Sequence, residues 1–580
     1  MPNTPDCRPP AAHCLPPTAY RLLCAAFAVV VIIPPLTVTA AEPRLPVFTD
    51  VTEKSGIHVK HSFGDFELSN IVEGTGAGAM FFDYDGDGWL DIYLLNGCWL
   101  KDVSDNRGRQ FRGKLTNHLY RNNHDGTFTD VTEKAGVGDK GYGVGCSAAD
   151  FDNDGDLDLY VLNYGPNVFY RNNGDGTFTD ISQQSGLADP RWSLSAPWFD
   201  YDRDGDLDVY VCNYLEYDGG KFRSYYPAAG YPGPLSYRGQ PDALYRNNGD
   251  GTFTDVTKEA GVYNPEGRGM SATVADLNND GWLDIYVAND ASENFYYQNT
   301  GKGTFEELAL GVGLAFGEGG QGVSSMGPTV GDVDRNGYLD VYIPDMGYGC
   351  LLINRGGFFE DRTTASKLAI VCGQYTGWGG LLLDYDNDGY LDVFVANGDA
   401  HHEYPEEDVL MRNDGTGNFI DVAKQSGDYF RQKYVGRGAT FGDYDNDGDL
   451  DLLVVNLNDS PRLLRNDGGN GNHWLTVAAR CQWGVSADAI PHHWHGGKSD
   501  AVGARIMVTT GGLRQIHDLI PVTGYLSQAD PRAHFGLGKA DKADSVEIRW
   551  PDGRTTQLKN VAANRFLTVV DEPKRMGGRQ

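Results

Sequence analysis

Short runs of alternating apolar and polar residues recur along most of the chain. Seven of them have closely similar sequences: DIYLLN, DLYVLN, DVYVCN, DIYVAND, DVYIPD, DVFVAN and DLLVVN. β-Branched and aromatic residues dominate these runs, which is typical of β-strands. An apolar stretch precedes each run, and runs of the types LYRNN and GTFTDVT follow most of them. The pattern therefore predicts a repeated unit of four short strands.

The seventh unit lacks its fourth run, and a matching sequence, VFTDVT, stands at residues 47–52 instead. A linear array gains nothing from this displacement, whereas a ring that closes through it removes two exposed sheet edges. We therefore predict an all-β fold in which residues 42–470 form a seven-bladed β-propeller with four strands in each blade. An open β-solenoid is the alternative, and the displaced strand argues against it.

The N-terminal region differs from the repeats. Residues 22–33 are uncharged and apolar, Arg8 and Arg21 precede them, and small residues surround positions 40 and 41. These features predict a signal peptide over residues 1–41, with an uncleaved membrane anchor as the alternative. A cleaved signal implies a protein that is secreted, periplasmic or on the cell surface, with no membrane span in the mature chain.

The segment after the repeats has a strand pattern of its own. Residues 471–572 contain the alternating runs RIMVTT, SVEIRW and FLTVV, and a turn sequence at 551–553. This pattern predicts a small β-sandwich-like domain, followed by a short tail at residues 573–580.

The composition narrows the range of partners. The 580 residues include 48 Lys and Arg against 80 Asp and Glu, which gives a formal net charge of −32. Nucleic-acid binding is excluded, because a phosphate backbone requires a cationic surface that releases its counterions. Small cations are the partners that such an acidic chain favours.

Acidic residues are concentrated in one motif, D-x-[DN]-x-[DN]-G-x-L-D, which lies between the first and second strand runs of every unit. Positions 1, 3, 5 and 9 carry Asp or Asn, and glycine at position 6 permits a sharp bend. Several oxygen ligands on one tight loop, without His or Cys, fit calcium better than zinc or copper, and magnesium prefers more water. The motif therefore predicts up to seven calcium sites. The carbonyl of Trp89, at position 7 of the first loop, is a further candidate ligand.

These seven loops, numbered one to seven along the chain, are called the aspartate loops. Because the motif recurs in every unit, a structural role is favoured over a catalytic one; metal-free Asx turns are the alternative. Loops four and five carry one Asn each and are expected to bind calcium more weakly. The predicted ligands are Asp83, Asp85, Asp87 and Asp91; Asp150, Asp152, Asp154 and Asp158; Asp200, Asp202, Asp204 and Asp208; Asp276, Asn278, Asp280 and Asp284; Asp332, Asp334, Asn336 and Asp340; Asp384, Asp386, Asp388 and Asp392; and Asp443, Asp445, Asp447 and Asp451.

Histidines suggest a second kind of metal site. His492, His493 and His495 cluster in the C-terminal segment. Imidazole is a good ligand for zinc and copper, so the cluster predicts such a site, with an exposed polar loop as the alternative. His401 and His402 stand near two glutamates after the sixth strand run. A metal or substrate role and an ordinary loop are both open for this pair.

Two groups of motifs resemble known families. The aspartate loops with their flanking runs resemble FG-GAP/VCBS repeats, which form calcium-binding propeller blades. The C-terminal motifs NHWL, GARI, GYLSQ, HFGLG and VEIRWPDG resemble the ASPIC/UnbV domain. Together they make the chain similar to the cartilage acidic protein family. The resemblance implies an exported calcium-binding protein with an interaction or adhesion role, and no established chemistry for the C-terminal domain.

The sequence contains no evident catalytic constellation. It has no Walker loop, no H-E-x-x-H motif and no dinucleotide fingerprint, and Ser527 lacks a G-x-S-x-G setting. Arg505, Arg532, His534 and Arg549 form a candidate polar patch on the C-terminal domain, or they pair with local carboxylates.

The leading hypothesis is a non-enzymatic module that binds a glycan or a protein outside the cytoplasm. A Tyr-rich insertion at 214–242 and a second insertion at 99–117 are candidate recognition loops. The main alternative is a calcium-assisted polysaccharide lyase or hydrolase with its site in the axial funnel. A third hypothesis is a scaffold that carries a histidine-bound transition metal. The sequence leaves the ligand and the oligomeric state open.

Overall fold

The computed structural model describes residues 45–218, 231–481 and 499–571. Within them, seven successive sheets have four antiparallel strands in chain order, as the repeat predicted. The predicted signal peptide at 1–41, the tail at 573–580 and the histidines at 492, 493 and 495 lie outside the described residues.

The four strands of each blade have the same order from the centre outward. The first strands are Ala79–Phe82, Gly143–Ala149, Ser193–Ser195 with Trp198–Phe199, Gly269–Ala275, Thr329–Gly331, Gly377–Leu383 and Gly436–Gly442. The second strands are Asp91–Leu94, Asp158–Asn163, Asp208–Asn213, Asp284–Ser292, Asp340–Ile343, Asp392–Asn397 and Asp451–Asn456. The third strands are His118–Asn122, Val168–Asn172, Ala243–Asn247, Phe295–Asn299, Cys350–Asn354, Val409–Asn413 and Arg462–Asn466. The fourth strands are Phe128–Asp130, Phe178–Asp180, Phe253–Asp255, Phe305–Glu307, Phe359–Asp361, Phe419–Asp421 and Phe48–Asp50.

The N-terminal strand closes the ring. Phe48–Asp50 pairs antiparallel with Arg462–Asn466 and completes blade seven. Each first strand contacts the first strand of the next blade, and Gly436–Gly442 of blade seven contacts Ala79–Phe82 of blade one. The displaced run in the sequence therefore has the predicted role.

Neighbouring blades bury apolar side chains against each other. Between blades two and three, Phe169 lies 5.6 Å from Trp198 and 6.2 Å from Phe253, measured between ring centroids. The second strand of blade two, Asp158–Asn163, is buried at every position. Coverage of both faces explains why the second runs are almost continuously apolar in sequence.

Short helical segments and small strand pairs complete the ring. None of the helices in the described part of the chain is long and apolar enough to cross a bilayer. The α-helices are Ile71–Thr75, Thr132–Ala135, Ser182–Ser185, Ala309–Val312 and Leu368–Cys372. The 3₁₀-helices are Arg107–Phe111, Pro234–Ser236, Glu318–Gly320, Ala423–Gln425 and Tyr429–Arg431. The additional strands are Leu215–Glu216, Arg238–Gly239 and Val323–Ser324.

The C-terminal module, residues 473–481 and 499–571, is a small sandwich. Leu475, Ile506 and Phe535 belong to one apolar core that both of its sheets share. The boundary at 470/471 and the extent of 471–572 stay predictions. One sheet contains His473–Cys481, Ser499–Asp500, Ala533–Gly538 and Arg565–Asp571. The other contains Arg505–Thr510, Leu513–Asp518, Lys542–Arg549 and Thr555–Ala562.

A segment of the C-terminal module, residues 522–530, enters the centre of the ring and is called the axial plug. Gln528 bonds three blades at once. Its Oε1 accepts the Ala148 N–H at 2.8 Å, its N–H donates to the Ala79 carbonyl at 3.2 Å, and its carbonyl accepts Thr440 Oγ1 at 2.6 Å. Gln528 is only 1% exposed. The plug therefore contacts the innermost strands rather than the outer rim.

The plug also contacts blades four and five. Ser271 Oγ donates to the Gly524 carbonyl at 3.1 Å, and the hydroxyls of Thr329 and Thr523 lie 2.9 Å apart. The axial channel is therefore filled from the side on which the C-terminal module lies.

Candidate metal centre

The aspartate loops are folded by their own hydrogen bonds. In loop one, Asp83 Oδ1 accepts the Asp87 N–H at 3.0 Å, and Asp83 Oδ2 accepts the Gly88 N–H at 2.9 Å. Asp91 Oδ2 accepts the Tyr84 N–H at 3.1 Å. Gly88, at position 6, has a φ of +89°, which only glycine adopts readily. The first and last carboxylates are thus brought to the same side of the loop.

The carboxylates at positions 1, 3 and 9 converge. In at least five loops, one oxygen from each of the three lies within 4.8 Å of the other two, a spacing that one metal ion can bridge. The groups are Asp83, Asp85 and Asp91; Asp150, Asp152 and Asp158; Asp200, Asp202 and Asp208; Asp332, Asp334 and Asp340; and Asp384, Asp386 and Asp392.

Several of these carboxylates have too few polar partners among the described residues. Asp85, Asp202 and Asp445, all at position 3, each have a buried oxygen without a hydrogen-bond partner among the described residues. Burial, together with the charge of neighbouring carboxylates, raises the pKa of Asp91 to about 9 and that of Asp443 to about 8. Crowded acidic groups of this kind are stabilised by a bound cation.

The donor set fits a hard divalent cation. The converging atoms are all carboxylate oxygens, which calcium prefers, and in loops one and three the position-3 carboxylate also has a buried oxygen without a hydrogen-bond partner among the described residues. A bound ion would supply the positive charge that the loop lacks. Calcium as the identity of that ion stays a prediction.

Position 5 has a different environment. Asp87 Oδ1 accepts the Trp89 N–H at 3.0 Å, and Asp154 Oδ1 accepts the Asp156 N–H in the same way. The position-5 side chains lie outside the five converging groups. Their ligand role, and that of the Trp89 carbonyl, stay predictions.

Asparagines at the ends of the third strands link each loop to the preceding blade. Asn122 donates its N–H to Asp91 Oδ1 at 2.8 Å and its Nδ2 to the Tyr444 carbonyl of blade seven at 2.9 Å. The repeated YRN run makes this asparagine evident in the sequence, but the carbonyl that accepts its Nδ2 hydrogen bond lies in another unit. The equivalent residues that donate to the preceding loop are Asn172, Asn247, Asn299, Asn354, Asn413 and Asn466.

Position 4 links each loop to the next blade. In six loops its side chain donates to the carbonyl of the position-6 glycine in the following loop; Asn446 Nδ2, for example, lies 3.3 Å from the Gly88 carbonyl. Loop one has Gly86 at this position and therefore has no such donor. The six donors are Asn153, Arg203, Asn279, Arg335, Asn387 and Asn446.

An arginine of the third strand offsets part of the loop charge. Arg121 Nε donates to Asp85 Oδ2 at 2.8 Å, and Arg412 lies 3.8 Å from Asp388. Blades four and five have Gln298 and Ile353 at this strand position. The two loops with one carboxylate fewer thus also lack this arginine.

The C-terminal module lies on the face that carries the aspartate loops. Ser499 Oγ donates to Asp150 Oδ2 at 2.6 Å, and His534 Nε2 lies 2.6 Å from Asn387 Oδ1. The candidate polar patch is therefore a contact surface within the molecule. Ser527 belongs to the axial plug, where its hydroxyl donates to the Tyr525 carbonyl.

His401 and His402 stand on the opposite face, in a turn held by Asp399. Both backbone N–H groups donate to Asp399 Oδ1 at 2.8 Å, and the His402 ring stacks on Tyr404 at 4.7 Å. The nearby Glu406 carboxylate accepts the N–H of residue 376. These bonds fit an ordinary turn, and a metal or substrate role for the pair stays a prediction.

Comparison with known families identifies the repeats. A family model described as FG-GAP-like repeat matches residues 83–161, 150–211, 235–287, 276–343 and 384–454. The chain belongs to the FG-GAP-like repeat family. A second model, described as ASPIC and UnbV, matches residues 495–575, so the FG-GAP-like repeats are followed by the domain that the C-terminal motifs resemble.

Curated relatives match part of this FG-GAP-like chain. Cartilage acidic protein 1 of Homo sapiens is 28% identical over 352 residues, which cover 57% of this chain and 48% of the relative. The Mus musculus protein is 29% identical over 353 residues, with coverages of 57% and 49%. The chain thus spans about half the length of the curated relatives it matches.

Solved structures overlap only loosely with this FG-GAP-like chain. An Agrocybe aegerita lectin that recognises non-reducing terminal N-acetylglucosamine has 18% identity and a TM-score of 0.35, over 66% of this chain and 86% of the lectin. BBS1N, solved in complex with ARL6DN, has 9% identity and a TM-score of 0.38, over 73% and 97%. No functional conclusion follows from these partial likenesses.

Proposed function

We propose that this protein is an exported, calcium-binding β-propeller that binds an extracellular glycan or protein through the ring face opposite the aspartate loops. The observation that most supports this face is the position of the C-terminal module. It contacts aspartate loops two and six, and its plug residues Tyr525 and Gln528 are at most 1% exposed. The opposite face is the one left for a partner.

Aromatic side chains on that face support a binding role. Trp192 lies 5.2 Å from Tyr164 and 4.9 Å from Tyr214, and Tyr217 lies 5.7 Å from Tyr237, between ring centroids. These five residues are called the aromatic cluster. Tyr164 and Tyr217 are partly exposed, whereas the other three are buried. Rigid aromatic residues with one accessible side are typical anchors of binding surfaces.

Calcium is proposed to stiffen the ring that presents this surface. The converging carboxylates fit such an ion, and extracellular modules bind calcium with dissociation constants of roughly 10⁻⁴–10⁻³ M. Export through the predicted signal peptide would place the protein outside the cytoplasm, where calcium is available at such concentrations.

The enzyme alternative has less support. A lyase or hydrolase of this fold would need an open axial funnel, but the plug fills it from one side. From the other side, the described residues line a half-open cavity of about 40 Å³ next to Tyr214 and Trp378. Such a cavity holds a few water molecules rather than a sugar ring.

The proposal is tested with mature protein and a panel of immobilised extracellular polysaccharides, with calcium and with chelator. We expect calcium-dependent retention without new chain ends, and a loss of retention for Tyr217→Ala and Tyr164→Ala. Tyr263→Ala serves as the matched control, because Tyr263 is an exposed tyrosine outside the aromatic cluster. New chain ends would contradict the proposal in favour of the enzyme.

If wild type and both aromatic-cluster variants are retained equally, the partner does not bind through the face opposite the aspartate loops, and that part of the proposal is wrong. If no polysaccharide retains the protein, the glycan half of the proposal is wrong. Capture of extracellular proteins, compared between wild type and Tyr217→Ala, then tests the protein half in the same way.

A further inference from the structure

Aspartate loop four differs from the others in its internal hydrogen bonds. In loop one, the N–H of position 5 donates to the position-1 carboxylate. In loop four, the Asp280 N–H donates instead to Asn278 Oδ1 at 3.0 Å, and Asn278 Nδ2 donates to Asp280 Oδ2 at 2.8 Å. The oxygen that position 3 would offer to a metal is thus used within the loop. Asp276 Oδ1 is left without a hydrogen-bond partner among the described residues.

Two arginines of the C-terminal module reach this loop. Arg549 Nη2 donates to Asp276 Oδ2 at 2.5 Å, and Arg505 Nη2 donates to the Asp276 carbonyl at 2.9 Å. Arg505 also donates to Asn279 Oδ1. Asp276 and Arg505 are both buried, with side-chain exposures of 2% and 5%. The contact is therefore a desolvated ion pair, in which each charge depends on the other.

Arg505 is itself held in place. Its Nε and Nη2 donate to the two oxygens of Asp518 at 2.5 and 2.9 Å, a bidentate geometry that fixes the guanidinium. Asp518 Oδ2 also accepts the Asp276 N–H at 3.3 Å. Loop four is thus bonded to the module through both backbone and side-chain groups.

The charges of blade four are consistent with its contact to arginines of the C-terminal module. The loop has three carboxylates, and its third strand carries Gln298 where blade one has Arg121 on the loop. The positive partner of loop four comes instead from the C-terminal module. A calcium ion placed beside the guanidinium groups of Arg505, which is buried, and Arg549, which is 28% exposed, would be repelled by them.

We propose that loop four is not a calcium site, although its sequence matches the motif. It is one of the docking points of the C-terminal module, and Arg549 supplies the cation that a metal ion supplies in other loops. The protein then binds at most six calcium ions, and docking at loop four does not depend on calcium.

The first test counts bound calcium by equilibrium dialysis and elemental analysis of the mature protein. Asp276→Asn changes position 1 of loop four, and Asp200→Asn is the matched change in loop three. We expect Asp200→Asn to lose about one bound calcium and Asp276→Asn to lose none. Seven bound calcium ions in the wild type, or loss of one in Asp276→Asn, would overturn the proposal.

The second test is made in excess chelator, so it is independent of any calcium site. Arg549→Met, Asp276→Asn and the double variant are compared by the rate of limited proteolysis at residues 467–472, between the ring and the module. We expect each single change to raise this rate about 10-fold. The double variant should be cleaved at about the same rate as either single variant, since the pair acts as a unit. Arg554→Met is the control, because Arg554 pairs with Asp552 and Asp571 inside the module.

Multiplicative effects of the two single changes would show that Arg549 and Asp276 act separately, and would overturn the docking role. If no loop binds calcium, both Asn variants keep the wild-type count and the calcium proposal for the whole ring fails. The comparison of proteolysis rates among the two single variants and the double variant then still decides whether Arg549 is the cation of loop four.

Discussion

Position 4 of the aspartate loops has an unusual backbone conformation, and its side chain also donates a hydrogen bond to another blade. Asn153, Arg203 and Asn446 have φ values of +59°, +62° and +57°, in the left-handed region that side chains rarely adopt. Each of these side chains also donates to the following blade. The sequence predicts the bend at position 6, because glycine marks it. It does not reveal position 4, where Asn, Arg and Gly occur and the acceptor lies in another unit.

Position 3 gives the first prediction. Asp445 has a buried oxygen without a partner among the described residues, which a cation would bind. We expect Asp445→Asn to lower the melting temperature by about 1 °C in calcium, as the loss of about 1 kcal/mol would in a folded unit of this size. In excess chelator the change should be absent or reversed, because the substitution removes one charge from a crowded acidic group.

Differential scanning calorimetry in calcium and in chelator measures both values. Glu259→Gln is the control, since it removes one charge from an exposed position outside the loops. An equal decrease for Asp445→Asn in both conditions would mean that Asp445 acts without a metal.

At the scale of elements, the axial plug depends on glycines of the ring. A Cβ atom on Gly327 would lie 2.1 Å from the Tyr525 nitrogen, and one on Gly78 would lie 1.8 Å from the Leu526 carbonyl oxygen. Leu526 has a φ of +59°, so the plug is held in a strained conformation by its surroundings. The GYLSQ motif is conspicuous in sequence. Nothing in its residue types indicates that it fills a channel formed by residues far upstream.

This close approach gives the second prediction. We expect Gly327→Ala to reduce the free energy of unfolding by about 1–3 kcal/mol, because the added methyl group overlaps the plug backbone. Gly311→Ala is the matched control. Gly311 lies in the helix Ala309–Val312 with no atom near its Cβ position, so alanine should stabilise there by about 1 kcal/mol. Urea unfolding of both variants measures the difference; a wild-type midpoint for Gly327→Ala would contradict the plug packing.

For the whole molecule, the sequence predicts the ring but not what lies on it. The repeated runs and the displaced VFTDVT sequence are sufficient for seven blades and for closure, because strand periodicity and edge pairing are local properties. The position of the C-terminal module depends on contacts such as Arg549 with Asp276, 273 residues apart. For the same reason, the motif alone predicts seven equivalent loops and does not distinguish loop four.

The links between loops give the third prediction. The position-4 donors form six links that connect all seven loops, and the chain is open between loops one and two at Gly86, which has a φ of +70° and no atom within 4 Å of its Cβ position. Asn tolerates this conformation and can donate to the next loop as Asn446 does. We expect Gly86→Asn to stabilise the protein by about 0.5–1.5 kcal/mol, the net value of one hydrogen bond.

Gly86→Ala tests the same backbone without a donor, and we expect it to destabilise the protein because alanine is strained at positive φ. Chemical unfolding in calcium provides the comparison. If the Asn and Ala variants lose the same stability, the chain of donors does not extend to loop two.

Closure by Phe48–Asp50 has a consequence for synthesis. Phe48 and its partner Asn466 are 418 residues apart, so the first strand of the ring to be made is the last strand of the ring to be paired. At about 5–20 residues per second, the ribosome needs on the order of 20–80 s to produce that partner. During this interval the nascent chain carries both an orphan strand and an unfinished blade. The strand pairing that closes the mature ring thus leaves its precursor open for a long period, in which a second nascent copy can donate the missing strand.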